Sequence, residues 1–340
     1  MNWYQDSLID EGVIISSRIR LARNLKKYPF PIKINNEQAK VMIDEAKGSI
    51  INDRTVLSNQ FRFYQSESLS QIEKLSLLEN HCISPEFING NMNRGLLLKN
   101  DESISIMLNE EDHVRIQTIS PGDNIDMAWD LADKTDNLIE EILEYAFDQD
   151  LGYLTSCPTN TGTGLRASYM VHIPMLEKSE QLTAIVQSIG KFGMTVRGIH
   201  GEGTQPLGSI YQISNQMTMG KSETEIIEVL KNVTDQVIER ENIIRESTIA
   251  QQKEELQDQV YRAYGILAHC RKISCNEALS LLSQLRFGYI TGLLELDKPK
   301  TNIYQMMMNI QPGHIQMKAG KNLSGAERDR LRADYIRGAL

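Results

Sequence analysis

Five arginines lie in alternating or glycine-bearing stretches where several cations could converge on one anion. Arg18 and Arg20, in Ser16-Ser17-Arg18-Ile19-Arg20, are two apart, so on a strand both guanidinium groups leave from one face. Arg115 follows Asn109-Glu110-Glu111-Asp112-His113. Arg166 ends the glycine-bearing loop 156–164, and Arg197 precedes Gly198-Ile199-His200-Gly201-Glu202-Gly203. Taken singly, each reads as a surface charge. Together they read as a clamp for a triphosphate, because planar guanidinium forks match phosphate oxygens in bidentate pairs. Cations converging on a transferring phosphoryl group are the electrostatic design that such a reaction needs.

Other motifs carry less. Gly220-Lys221-Ser222 resembles the end of a phosphate-binding P-loop, but the required earlier glycine is missing: position 215 is Asn. Gly162-Thr163-Gly164-Leu165-Arg166-Ala167 fits G-x-G-x-x-A, yet an alternating run follows it where a dinucleotide fold needs a helix. The six histidines show no metal-ligand spacing, so no protein-bound metal is expected.

The elements that must position the arginines come next. Residues 94–98, 103–108 and 114–119 read as three strands joined by tight polar turns, an antiparallel meander. After Pro121-Gly122-Asp123 the period changes to helical. Ile125, Ala128, Trp129, Ala132, Ile139, Ile142, Leu143 and Ala146 mark an amphipathic helix with Gly152 as its stop. A strand at 167–173, a helix from Leu182 to Ile189 and strands at 194–199 and 209–213 follow. This is an α+β design, an antiparallel sheet flanked by helices. Beyond Ser222 the strands vanish. Ser222 with Glu225, Ser274 with Glu277 and Ser324 with Glu327 have capping-box spacing. The polar stretch 246–259, a solvated helix or a linker, marks a boundary, giving a catalytic domain over 1–246 and an all-helical domain over 247–340.

Composition bounds the class. A chain of 340 residues with 36 basic and 45 acidic side chains, net charge −9, is not built to coat nucleic acid. No apolar run is long enough for a membrane span, and the acidic start does not read as a signal peptide. Cys82, Cys157, Cys270 and Cys275 have no CxxC spacing and fit free thiols in a reducing compartment, so a cytoplasmic protein is expected.

SSRIR, NEEDHVR, CPTNTGTGLRAS and RGIHGEGT, in this order, resemble the signatures of the phosphagen (guanidino) kinases over about residues 10–245, with the bacterial protein-arginine kinases the nearest branch. The resemblance implies that fold and an ATP- and Mg²⁺-dependent phosphotransferase. Ser16, Ser17, Arg18, Ile19 and Arg20 would hold the ATP phosphates, joined by Arg115, Arg166 and Arg197. His81 would line the nucleotide site, with a purely structural histidine as the open alternative. Ala167, Ser168, Tyr169 and Met170, with Gly198, Ile199, His200 and Gly201, would complete the pocket. Glu111 and Glu202 would grip the acceptor guanidinium, and Cys157 matches the family's reactive thiol. A protonated guanidinium has no free lone pair, so two anions to orient it and one to take its proton make chemical sense. Glu202, in a glycine-flanked loop, is the better candidate base. Cys157, before Pro158 and beside the cations, is expected to favour its thiolate and to modulate the reaction.

Two departures from the metabolite kinases point to a protein substrate. SSRIR begins at position 16, leaving no room for their small N-terminal domain, and about ninety helical residues are added at the other end. There, Arg328-Asp329-Arg330-Leu331-Arg332-Ala333 puts Arg328 and Arg332 one turn apart, with Asp329 able to pair with Arg332 or with an incoming guanidinium. It matches the RDxxRA signature of the protein-arginine kinases, which implies an allosteric phosphoarginine pocket. The resemblance also implies a homodimer, protein substrates marked for a Clp-type protease in stress response, a zinc-binding activator and a heat-shock repressor. A kinase for free arginine and a catalytically dead phosphoarginine-binding adaptor remain the competing readings.

Overall fold

Eight of the described strands form one antiparallel sheet in the computed structural model, which describes residues 2–6, 9, 12–52, 58–89, 93–198, 206–297, 299 and 301–340. The strands are β1 (Ile14–Arg23), β2 (Phe61–Gln65), β3 (Gly95–Lys99), β4 (Ile104–Leu108), β5 (Val114–Pro121), β6 (Phe147–Asp148), β7 (Gly152–Tyr153), β8 (Leu165–His172), β9 (Met194–Gly198) and β10 (Ile210–Asn215). The sheet order is β2-β3-β4-β5-β1-β8-β10-β9, and β6 and β7 form a separate small hairpin. The expected meander is β3-β4-β5. The arginine-bearing β1 takes the central place between β5 and β8.

One face of the sheet is the back wall of the main core. Ile19, Leu21, Ile104, Ile106, Ile116, Leu165, Ala167 and Tyr169 alternate onto it, and the helices Ile125–Glu140 and Glu223–His269 cover it. The helix expected to run to Gly152 ends at Glu140. Beyond it the chain is drawn off to pair with the end of β1. Tyr145 bridges Leu25, and the Ala146 N–H donates to the Asn24 carbonyl at 2.7 Å. Gly152, with φ of +77°, turns the small hairpin instead of stopping a helix.

The C-terminal part is helical as expected, and its starts are set by caps. Ser222 and Ser324 form full reciprocal boxes with Glu225 and Glu327, while Ser274 accepts from the Glu277 N–H at 3.2 Å. Of the two readings open for the polar stretch 246–259, the solvated helix is the one that forms. It lies inside the 47-residue helix Glu223–His269, whose one non-helical residue is Gln252. Helices Cys275–Thr291, Ile303–Asn309, Pro312–Ala319 and Gly325–Ala339 follow. Two further boxes, Asn35 with Gln38 and Ser70 with Glu73, open helices Asn36–Ile50 and Gln71–Glu79; in the first, Ala39, Met42, Ile43, Ala46 and Ile50 repeat with helical spacing and are buried. No helix among the described residues is long and apolar enough to cross a membrane.

Candidate active site

Register decides which side chains meet. Directly paired residues of antiparallel strands point to the same side of the sheet. Arg20 lies opposite Gln117 on β5 and Arg166 on β8, Arg18 lies opposite Ser168, and Arg115 lies opposite Ala22 and Met107. Gln212 of β10 links Met170 on one side to Arg197 on the other. All five arginines therefore leave the face away from the main core.

They crowd one another there. Burial, then the neighbouring Arg166 charge, brings Arg18 down to about 10. Arg20 is held below the ordinary arginine range by burial and by Arg18, Arg166 and Arg115. A guanidinium keeps its proton at neutral pH, so these buried, mutually repelling charges make a face that favours an anion. Arg18 donates to the Gln212 amide oxygen at 2.6 Å, but the buried Nε of Arg20 finds no partner among the described residues.

Four of the five, Arg20, Arg115, Arg166 and Arg197, form the wall between two cavities. The larger, about 680 Å³, also contains Arg18, His81, Met170 and Gly198. The smaller, about 290 Å³, contains Glu111 and Cys157. Arg115 forks between Glu110, 2.9 Å away, and Glu111, 2.8 Å away. Burial pushes the Glu111 carboxyl above the ordinary glutamate range despite the opposing pull of Arg115. The Cys157 sulfur sits 3.0 Å from the Thr159 hydroxyl. All four cysteines are unpaired.

The loop that feeds Arg166 into the sheet explains its glycines. Gly162 has φ of +113°, and a Cβ there would lie 2.2 Å from the Thr218 carbonyl oxygen. At Gly164 a Cβ would meet the Ala22 carbonyl oxygen at 2.5 Å. The glycines serve close backbone packing, and β8 follows directly, as the failed dinucleotide context implies.

Several expected residues do not reach the cavities. The side chains of Ser17, Ile19, Ala167 and Tyr169 point to the opposite face, because they alternate with the arginines. Ile19 and Ala167 are fully buried in the core, Ser17 accepts from the Asn124 N–H at 2.9 Å, and the Tyr169 hydroxyl donates to Asp123 at 2.8 Å. Ser16 and Ser168 are buried within the sheet without lining either cavity. His81 lines the larger cavity, and its carbonyl accepts from Gln117. Ile199, His200, Gly201 and Glu202 lie outside the described residues.

Three positioning residues go unassigned by spacing alone. Asp112 is fully buried and accepts both from the Asn24 amide at 2.7 Å and from the Ser156 N–H at 2.6 Å. Asn24 accepts in turn from the His113 N–H at 2.9 Å, and the Leu25 N–H donates to His113 Nδ1 at 3.0 Å. This network ties the Glu111 turn to the Cys157 loop. Its only sequence signal is the polar residue pair just after Glu111.

At the C-terminus, Arg332 is not available as half of a ligand clamp. It is buried and donates to the carbonyls of Ile310 and Ile273, both at 2.9 Å, and to Asp329 at 2.6 Å. Ala333 is fully buried beside it. Arg328 donates to the Leu323 carbonyl at 2.8 Å, while Arg330 and Leu331 are exposed. The expected pairing of Asp329 with Arg332 is the one that forms.

A sheet presenting arginines to a cavity, with a carboxylate and a thiol in the adjoining one, fits a phosphotransferase, and the relatives of the chain identify the class as one acting on guanidino groups. Residues 41–244 match the ATP:guanido phosphotransferase C-terminal catalytic domain, and the chain belongs to that family. Residues 253–340 match the protein-arginine kinase McsB C-terminal domain. The chain is 48% identical over 328 residues to a protein-arginine kinase of Caldanaerobacter subterraneus subsp. tengcongensis, covering 96% of each chain. It is 39% identical to one from Brevibacillus brevis, covering 100% of this chain and 95% of the other. Among solved structures, a lombricine kinase superposes with a TM-score of 0.62 at 24% identity, over 73% of this chain and 70% of that one. The duplicated taurocyamine kinase of Schistosoma mansoni also gives 0.62, over 72% of this chain and 35% of its own length. These likenesses speak for the fold.

Proposed function

We propose that this chain transfers the γ-phosphoryl group of ATP to arginine side chains of proteins. The observation that carries the reading is the arginine wall shared by two cavities. A donor triphosphate on one side and an acceptor guanidinium beside Glu111 on the other would meet across it. Arg18, Arg20, Arg115, Arg166 and Arg197 offset the phosphate charge and align it. Glu111 orients the acceptor fork. As the acceptor nitrogen bonds to the γ-phosphorus, the bridging oxygen leaves with ADP and the nitrogen gives up a proton. Glu202 takes that proton in this reading, Glu111 holds the remaining N–H groups, and Cys157 assists alignment.

Among the described residues no cluster of three or more His, Cys, Asp or Glu side chains is placed to cage a cation. Both carboxylates beside Arg115 are bonded to it. The Mg²⁺ would therefore arrive on the triphosphate, where it neutralises phosphate charge.

The reading extends to a catalytic part over 1–246 and a helical part over 247–340. The kink at Gln252 and the separate matches to 41–244 and 253–340 support that division. A homodimer, a cytoplasmic setting, a Clp-type protease receiving the marked proteins, a zinc-binding activator and a heat-shock repressor belong to the same proposal. So does a phosphoarginine site at the last helix, built on Arg328 and Asp329 without Arg332.

The test is incubation of the purified chain with MgATP and either an unfolded protein or free arginine, followed by mass spectrometry without acid. Phosphoarginine on the protein is expected. Phosphate on free arginine alone would make it a metabolite kinase, and no ATP turnover would make it a binding adaptor.

A further inference from the structure

The larger cavity is not built by the catalytic sheet alone. Away from the arginine wall its lining is mixed, with Glu79, His81 and Glu86 among apolar side chains, and the apolar Leu279, Tyr304, Met307 and Met308 come from the helical part. All four fall within 253–340, outside the stretch that matches the phosphotransferase catalytic domain. Tyr304 is buried against the sheet, its hydroxyl donating to the Met170 sulfur at 3.2 Å. Along β8, Met170 lies four residues from Arg166, roughly 13 Å by strand rise. That is the scale of a nucleotide from its terminal phosphate to its base.

The helical wall is held at both ends. Asn302 caps helix Ile303–Asn309 and donates to the carbonyls of Tyr4 and Asp6 at 3.2 and 3.1 Å. At the far end Arg332 holds the Ile310 carbonyl. The next helix docks on the catalytic part: Glu79 accepts from the N–H groups of Gly313 and His314 at 2.8 and 3.0 Å. Gly313 packs so closely that a Cβ would come within 2.7 Å of the Ser76 nitrogen. A rigid apolar wall that faces a polyanion clamp across one cavity matches a ligand charged at one end and flat and aromatic at the other. Polarisable methionine thioethers suit a ring face.

We infer that the helical part completes the donor site, with Leu279, Met307 and Met308 packing one face of the nucleotide base. This rests on the nucleotide reading given under the proposed function. The full-length chain with Met307→Ala should bind ATP about tenfold more weakly by calorimetry, while inorganic tripolyphosphate, which has no base, should bind within about twofold of wild type. Equal losses for both ligands, or none for ATP, would overturn the inference. Photolabelling of the unaltered chain with 8-azido-ATP gives a second measurement that does not depend on how the variant folds. Labels within 275–312 are expected, and labels confined to 1–246 would overturn the inference while leaving the kinase reading intact. Failure of the wild-type chain to bind ATP at all would overturn the kinase reading itself.

Discussion

Asp112 offers the sharpest separation of positioning from binding. Its Oδ1 accepts from the Asn24 amide at 2.7 Å and from the Ser156 N–H at 2.6 Å, so one carboxylate holds the loop before Cys157 against the turn that carries Glu111. Asp112→Ala removes both bonds. Hydrogen bonds to a charged group contribute about 1.5–3 kcal/mol each, and Asn24 keeps a second acceptor in the Leu154 carbonyl, so a loss of about 3 kcal/mol is expected. Asp112 bonds to none of the five arginines, and only Arg115, held by Glu110 and Glu111 of the same turn, is close enough to feel its loss, so KM for ATP should change far less than kcat. A displacement of about 1 Å between reacting groups costs about a hundredfold in rate, so kcat should fall by about that much. Asp112→Asn keeps the shape and an oxygen able to accept both bonds, and loses only the charge assistance, about 1 kcal/mol. Steady-state phosphorylation with ATP varied, alongside thermal melts of all three proteins, reads every quantity. A raised KM for ATP with intact kcat, or equal damage from both substitutions, would refute the reasoning.

Further tests address the cations and the helical part. Arg20→Met should weaken ATP binding at least about tenfold, yet stabilise the ligand-free protein by about 1 kcal/mol, or ~2 °C in melting temperature, because it relieves cation crowding. A less stable ligand-free variant would show that the crowding is not unfavourable. Arg332→Ala strands the Ile310 and Ile273 carbonyls and should cost about 3 kcal/mol in denaturant melts, with partial recovery in Arg332→Lys. A loss below about 1 kcal/mol would mean that water replaces the guanidinium easily. Burial raises Glu79 to about 7, against the lowering effect of the Gly313 and His314 N–H groups. The folded protein then holds this proton more tightly than the unfolded chain, so the contribution of Glu79 is most favourable below the ordinary glutamate pKa. It declines as pH rises and is lost above about 7. The stability difference between wild type and Glu79→Gln should accordingly fall by an amount on the order of 2 kcal/mol between pH 4.5 and 7, and a flat difference would contradict the shift.

What could be read in the chain followed from periodicity. Arg18 and Arg20, two apart, required a shared face if they lay on a strand, and β1 provides it. The same alternation sends the side chains of Ser17, Ile19, Ala167 and Tyr169 away from the arginine face, so a motif written as a continuous run names about twice as many side chains as one face of a strand can present. Tertiary capture was not legible. The stripe from Ile125 to Ala146 keeps helical spacing beyond Glu140, yet the backbone of Ala146 is taken by Asn24, which is more than a hundred residues earlier in the chain. Asp112 was visible as a letter within a quoted motif, but its role depends on Asn24 and Ser156 folding onto it.

Arginine shows most clearly why residue type underdetermines role. Arg20 and Arg23 lie three apart on β1 and so point to opposite faces. Arg23 meets Asp136 at 2.7 Å and the Thr163 carbonyl at 2.9 Å, with its guanidinium 3.6 Å from the centre of the Tyr153 ring. Its charge is matched within the fold, and it fixes the loop that delivers Gly164 and Arg166. Arg332 is matched in the same way by two carbonyls and Asp329. Arg20 instead has three cationic neighbours and an unpartnered buried Nε among the described residues. The crowded face is not uniform in this respect: Arg115 is held by Glu110 and Glu111 and Arg18 by Gln212, so the unmet donor capacity is clearest at Arg20.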